Sequence, residues 1–489
     1  VKGVKNSTGQ EEAGTRWFRS LLLLVVVAYL GMALYQAFKP LPEGINMATP
    51  LRPVENVAFL GDATYLDKWG QRRSEQVIFD EILRLIGQAN RLVVLDMFLF
   101  NDFAGESTDD HRALSSELTR ALTQRKDQMP GLEAVLITDP LNTLYGALEP
   151  DHLQALRAAG VKIVMTDLTR LRASNPFWSG FWYWCCSWLG NSEEGGWLPN
   201  PLGQGEVTLR SYLQLLNFNA NHRKTLVVDS GESWTGLVTS ANPHDASSAH
   251  DNVALRFQGP AAIDLLKTER AVVRMSGGRI DFDTPVIEQP VSSDGLRLQV
   301  LTESRIRNAL RIAIDSAELG DRIDIAVFYF SHRQLLESVI SAHERGVRVR
   351  VLLDPNRDAF GLEKNGIPNR QAATGLHRAG VPVRWCATTG EQCHSKLLLK
   401  RSLSGDAALI LGSANFTRRN LDNLNLETSV RLKGSTQTPA ITDAARYFLR
   451  YWRNSQGRLY SLPYSIYADP SPGRYWLYRV MEATGLSTF

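Results

Sequence analysis

Low-complexity tracts are absent from this chain, and a net charge of +3 over 489 residues leaves no basic excess. That balance does not announce a nucleic-acid binder, whose electrostatic footprint is a surplus of lysine and arginine. Cysteines number only four, too few to decide the redox compartment. Cys386 and Cys393 are close enough in sequence to bridge, with two buried or free thiols as the other reading; Cys185 and Cys186 are adjacent. Neither pair reads as a metal site. What the chain has is apolar content, 44% of its residues, enough to bury one large core or two.

Charge is also missing from Ser20 to Phe38, a mostly aliphatic stretch of nineteen residues flanked by Arg16, Arg19 and Lys39. As a helix it nearly spans a bilayer core. A cleaved signal would have a shorter apolar core and a clear small-residue cleavage site. None stands out, so a retained anchor is the expectation and a cleaved signal the alternative. Lys2, Lys5, Arg16 and Arg19 precede the stretch, which places the N-terminus in the cytoplasm and the body across the membrane, in the periplasm of a bacterial cell.

The chain repeats itself. Leu92 to Phe100 and Ile323 to Phe330 are apolar, β-prone runs after helix-like stretches. Ala134 to Asp139 and Val349 to Asp354 follow, each closed by proline; then Leu156 to Val161 and Leu376 to Val381 share an Ala-Gly-Val junction. That junction reads as a helix end entering a strand. The same order twice predicts an α/β protein of two pseudo-symmetric halves, each a mixed sheet flanked by helices. The expected divisions are a tail 1–19, an anchor 20–38, a linker 39–56, a first half 57–288, a boundary 289–296, a second half 297–455 and an extension 456–489. One insertion breaks the symmetry: Gly160 to His222 takes 62 positions where Gly380 to His394 takes 14. The surplus, about 170–200, holds an uncharged run from Asn175 to Gly190 with four of the eleven tryptophans. Trp and Tyr favour the membrane–water interface, so the expectation is an interfacial dip near the site; a buried aromatic cover over the sheet is the alternative.

Two short phrases carry the chemistry, His222-Arg223-Lys224 and His394-Ser395-Lys396, each leading into an aliphatic run. On a strand, His and Lys two apart point the same way. A small-residue turn ending in Asn242 or Asn415 follows each. This pattern resembles the phospholipase D superfamily, whose signature is His-x-Lys-x4-Asp with a Gly/Ser-rich Asn segment beyond it. The first copy is complete, with Asp229 last; the second has Arg401 there, and Asp406 is the nearest substitute for its turn. Asn425-Leu426-Glu427 matches the family's Asn-x-Glu, whereas the same offset in the first half gives Asn252-Val253-Ala254 and no acid. The resemblance covers roughly Val57 to Trp452 and is strongest towards membrane-anchored members similar to bacterial cardiolipin synthases.

Displacement at phosphorus splits into two easier steps when a nucleophile and an acid face the phosphate from opposite sides, and histidine serves as either near neutral pH. The resemblance implies a phosphohistidine on His222, with His394 as acid and base, at the interface between the halves. Lys224 and Lys396 would offset developing charge, Asn242 and Asn415 would bind substrate, and Glu427 would fix the His222 tautomer. Asp229 belongs to the motif at the strand end, where it fixes a turn. For His394 the candidate carboxylates are Asp251 and Asp245; His244 and His250 read as surface or second-sphere residues, and Asp354 to Arg357 as a loop beside the pocket. The expected chemistry needs no metal and no cofactor. Both motifs lie on one chain, so a monomer suffices. The implied function is a phosphatidyltransferase or phosphodiesterase on membrane phospholipid; the alternatives are a phospholipase D-type hydrolase, a nucleic-acid phosphodiesterase of the same superfamily, and an inactive head-group-binding scaffold.

Overall fold

A computed structural model describes residues 7–103, 111–230, 233–283, 295–359, 362–487 and 489. The tail cations Lys2 and Lys5 and most of the expected boundary at 289–296 lie outside them.

The first seven-stranded sheet is built from β1 (Glu55–Gly61), β2 (Leu92–Met97), β3 (Glu133–Thr138), β4 (Lys162–Met165), β5 (Lys224–Ser230), β6 (Ser233–Thr239) and β7 (Val253–Gln258). Its spatial order is β1-β7-β6-β5-β2-β3-β4. The second sheet uses β8 (Arg297–Thr302), β9 (Arg322–Val327), β10 (Arg348–Leu353), β11 (Val383–Cys386), β12 (Lys396–Arg401), β13 (Asp406–Gly412) and β14 (Thr428–Ser435), ordered β8-β14-β13-β12-β9-β10-β11. Adding seven to each label of the first order gives the second, so the repeat in sequence is a repeat in topology. In both halves the three strands at one end run parallel and the rest antiparallel. Parallel neighbours need a crossover, usually a helix, and Leu114–Gln128 and Arg333–Glu344 supply the matching ones.

The Ala-Gly-Val junctions close their helices identically. Gly160 has φ +81° and Gly380 φ +84°, the left-handed region that glycine enters without strain. Val161 N–H reaches Leu156 O at 2.9 Å, and Val381 N–H reaches Leu376 O at 3.0 Å, the six-to-one closure of a helix C-terminus.

One core joins the inner faces of both sheets, where Val227, Val238 and Leu255 meet Leu399, Leu411 and Leu432 with the helices Pro260–Met275 and Pro439–Arg453. Two further cores cover the outer faces. Both flanking stretches add to the second sheet. Arg52–Pro53 pairs with β8 at one edge, and Ser461–Pro463 pairs with β11 at the other.

The apolar segment lies within one helix, Ser7–Phe38, and Thr15–Phe38 is long and apolar enough to cross a bilayer. Leu21 to Leu24 face outward, unlike a core helix. The tryptophan-rich insertion forms a helix, Pro176–Cys185, packed lengthwise along that segment. Tyr29 Oη donates to Phe177 O at 3.0 Å, and Ala173 N–H donates to Gln36 O at 2.8 Å. At the crossing, a Cβ on Gly180 would sit 2.7 Å from Ala33 Cβ and 2.8 Å from its Cα. Gly180→Leu should therefore lever the helices apart and cost about 1–3 kcal/mol, the usual toll of overpacking. Thermal unfolding of the detergent-solubilised protein measures it, and an unshifted midpoint would mean that the contact is soft.

Candidate active site

The two motifs start β5 and β12, each hydrogen-bonded to the strand that opens its half's parallel end, β2 and β9. Sheet topology thus delivers His222 and His394 to the seam. Backbone bridges cross it twice: Asn221 pairs with Leu426, and Asp251 with Cys393. Each bridge sets the residue after one partner beside the histidine after the other.

At the first bridge, His222 Nδ1 lies 3.0 Å from Glu427 Oε1 and 3.1 Å from Oε2. Ser413 Oγ and Asn420 Nδ2 also donate to Glu427, so the carboxylate is fully held. At the second bridge the equivalent residue is Asn252, whose Oδ1 faces His394 Nδ1 at 3.1 Å. Ser240 Oγ donates to that oxygen at 2.9 Å, and Asn252 Nδ2 donates to His250 O at 3.2 Å. This corrects the sequence alignment: Asn252, not Ala254, occupies the place of Glu427. Neither carboxylate proposed for His394 reaches it. Asp251 Oδ1 accepts Thr64 N–H at 2.6 Å, and Asp245 Oδ1 accepts Ser115 N–H at 2.9 Å. Both are anchored elsewhere. His250 is a ring neighbour of His394, with centroids 5.7 Å apart, and His244 is held by Ser247 Oγ and Phe103 O.

Lys224 and Lys396 are buried, and each donates to the carbonyl of its own histidine at 2.7 Å. Two aromatic rings that the sequence reasoning passed over sit against them in equivalent positions. Phe98 packs on His222 and Phe328 on His394, with centroids 4.9 and 5.2 Å away. Their signal was present: each lies within its half's repeated apolar run and directly follows the strand there, β2 ending at Met97 and β9 at Val327. A second pair is Asp139 and Asp354, read in the sequence only as strand ends and, for Asp354, as the start of a loop beside the pocket. Their carboxylates accept Asn221 N–H at 2.7 Å and Cys393 N–H at 2.8 Å, fixing the backbone directly before each histidine. Asn242 Oδ1 accepts Leu99 N–H at 3.3 Å, while Asn415 Oδ1 is buried without a partner among the described residues.

Asp229 stands apart. It lies five residues along β5 from Lys224, about 17 Å at strand rise, and accepts N–H from Asn90, Arg91 and Leu92. Its work is to fix the turn into β2, so it is a structural member of the motif with no contact at the site. Arg401 in the second half has a different partner, Asp324 on β9, at 2.6 Å, and Arg350 shares that carboxylate. Asp406 accepts from Ser404 Oγ at 3.0 Å within its own turn. The exchange of charge is locally compensated.

Burial dominates the electrostatics. Desolvation pushes Lys224 down to about 7, against the pull of Glu427. Lys396 falls well below its usual value for the same reason, with Lys224 adding repulsion. His222 drops to about 4 by burial, which Glu427 partly opposes; His394 also drops, with Lys396 and His250 adding to the effect. Burial thus favours neutral imidazoles beside readily deprotonated lysines, an arrangement that an anion would recharge. Nearby, Cys386 and Cys393 are joined by a disulfide, so neither is left as a thiolate beside Asp251.

Comparison with known proteins agrees with this geometry. Residues 310–452 match the family model "Cardiolipin synthase, PLD-like domain". The chain is 32% identical over 120 residues to mouse mitochondrial cardiolipin hydrolase, covering 24% of this chain and 46% of that protein. The human protein of that name is 32% identical over 101 residues, covering 21% and 35%. The chain therefore spans less than half the length of these curated relatives. In structure it resembles phosphatidylserine synthase from Haemophilus influenzae, with a TM-score of 0.55 at 10% identity, covering 89% of this chain and 96% of that one. Residues 310–452 thus match a phospholipase D-like domain of the cardiolipin synthase type, and the first half repeats its sheet order and its paired His and Lys at the seam.

Proposed function

We propose that this protein is a membrane-anchored phosphatidyltransferase or phosphodiesterase that acts on phospholipid through a phosphohistidine on His222. The observation that carries this is the asymmetry of the two histidines. Glu427 accepts from His222 Nδ1 and leaves Nε2 with its lone pair, and a carboxylate partner makes that nitrogen more nucleophilic. His394 has only the neutral Asn252 oxygen, which fixes the same tautomer without adding charge. The bound phosphodiester's negative charge first lets His394 take up a proton from solvent; attack by His222 Nε2 then forms the P–N bond and breaks the P–O bond to the leaving alcohol, which takes that proton from His394. An acceptor alcohol, or water, then returns that proton to His394 as it displaces His222. Lys224, Lys396 and N–H donation from the Asn415 side-chain amide support the non-bridging oxygens.

A lipid rather than a nucleic acid fits the surroundings. Arg350 is paired with Asp324, Arg345 caps carbonyls at the end of a helix, and Arg419 is buried against Ser487 O. None of them lines an open cationic groove of the sort single strands require. The helix along Thr15–Phe38 keeps the body at a membrane, with the N-terminus assigned to the cytoplasmic side. The test is turnover of phosphatidylglycerol vesicles followed by mass spectrometry, with cardiolipin and single-stranded DNA as parallel substrates. Cardiolipin with glycerol means transfer, phosphatidic acid means hydrolysis, and degraded DNA with intact lipid sinks the reading.

The pH profile gives a second check. Activity needs His222 neutral with His394 and Lys224 protonated, so kcat/KM should fall as pH drops through about 4 and, with His394 also lowered by burial, be lost on the alkaline side by about pH 7. Glu427 raises the pKa of Lys224, hence Glu427→Gln should move the alkaline limb to lower pH. A bound phosphodiester recharges the lysines, so the alkaline limb of kcat should lie above that of kcat/KM. Superimposed limbs would remove Lys224 from the titration.

A further inference from the structure

Beside the anchor is a cleft of about 610 Å³, within the range of about 300–1,000 Å³ usual for ligand pockets. Val26 and Tyr29 of the apolar helix form one wall, Phe177, Phe181 and Trp184 of the insertion a second, and Leu486 a third. Leu486 follows the C-terminal helix Pro472–Thr484. Trp184 and Leu486 keep open faces, and so do Trp476 and Val480 on the C-terminal helix.

Depth decides what can enter. Val26 lies twelve residues before Phe38, about 18 Å along the helix axis, which is near the middle of a bilayer core about 30 Å thick. A cleft at that depth meets hydrocarbon and no water. The wall that carries Leu486 is tied by contacts to the residues behind His222. Gly485 packs against Ser174, and Gly485 O and Ser487 O both accept from the buried Arg419 guanidinium. The next residue, Asn420, donates to Glu427, which holds His222. Leu486 therefore sits between a lipid-facing opening and the residues that position the nucleophile.

From the apolar lining, the depth and these contacts we infer that the cleft binds one acyl chain of the phospholipid whose head group reaches the His222–His394 site, taken sideways from the leaflet. The inference rests on the lipid reading of the site. It also gives the insertion a role that an interfacial cover would lack: beside the tight Gly180–Ala33 contact, its Phe177, Phe181 and Trp184 line one wall of the cleft. The C-terminal segment supplies the third wall, so the extension becomes part of substrate binding.

The experiment uses the full chain in nanodiscs with phosphatidylglycerol that carries a diazirine midway along one acyl chain. After illumination, peptide mass spectrometry should place most label on Phe177 to Trp184 and on the segment around Leu486. Label confined to Leu21 to Leu24, on the outward face of the anchor, would mean surrounding lipid only and overturn the inference. A second measurement narrows the cleft with Val26→Trp and, separately, Leu486→Trp. The ratio of kcat/KM for dipalmitoyl over dihexanoyl phosphatidylglycerol should fall about tenfold, the scale on which lost apolar contacts discriminate. An unaltered ratio overturns the inference while leaving the lipid chemistry intact. Absence of turnover for both lipids by the unsubstituted protein would instead strike the function, and crosslinking would then decide the cleft on its own.

Discussion

Replacing His222 with Ala should reduce lipid turnover by about 10⁴-fold or more, the scale on which nucleophile loss acts in enzymes with covalent intermediates. The protein should remain folded, because Glu427 keeps its donors Ser413 and Asn420 and is not left as a bare buried charge. His394→Ala should cost less, about 10²–10⁴-fold, as befits a proton-transfer group. The two losses should not add: without a nucleophile, the acid has no leaving group to protonate, so the double variant should match His222→Ala. Steady-state rates of the three variants on one vesicle preparation test this. Additive losses would mean that the histidines act in separate reactions, and a larger loss in His394→Ala would reverse their roles. Label trapped without acid during turnover should lie on His222, since only that ring has a carboxylate behind it.

That assignment shows how far the sequence could be read. Two strand runs and two glycine-closed helices were legible because each is local: its pattern of apolar residues and its left-handed glycine are fixed by neighbours in the chain. The paired His and Lys were legible for the same reason. The partner of His394 was not, because it is set across the seam. Ser413 precedes Glu427 by 14 residues, but Ser240 precedes Asn252 by only 12. The second half fits the short helix Arg418–Leu421 into that interval, and counting along the chain slips by two. The bridges Asn221–Leu426 and Asp251–Cys393 restore the register. The tryptophans of the insertion led to the expectation of an interfacial dip, but its packing depends on Gly180, whose meaning appears only when Ala33 is beside it.

Arg223 is the middle residue of the first motif and, pointing away from the histidine face, was assigned nothing by the sequence. It is fully buried. Its Nη2 lies 2.8 Å from Glu303 Oε1 across the seam, and its Nη1 lies 3.5 Å from Glu269 Oε2 and 3.3 Å from Thr268 O. Glu303 in turn accepts Glu427 N–H at 3.1 Å and holds a left-handed backbone, φ +47°. Arg223→Met should lower stability by about 3–5 kcal/mol, because removing one partner leaves uncompensated carboxylates in the interior.

The loss should depend on pH in a definite direction. Burial already raises Glu303 to about 7 even with the guanidinium beside it, and without that charge its pKa climbs further. An acid whose pKa is higher folded than unfolded favours the native state below its unfolded value and loses that stabilisation as pH rises through the folded one. The variant should thus be nearest to the parent below about pH 4.5 and fall furthest behind above pH 7. Denaturant midpoints at both ends of that window test it, and a loss independent of pH would assign the effect to packing alone. Arg223→Met combined with Glu303→Leu and Glu269→Leu should recover most of the stability, since buried ion pairs exchanged for apolar groups are often neutral. Turnover should not recover with it. Glu427 would lack the acceptor for its N–H, and the carboxylate behind His222 would lose its fixed position. A triple variant that is both stable and fully active would show that the buried charges hold the halves together and do nothing for the nucleophile.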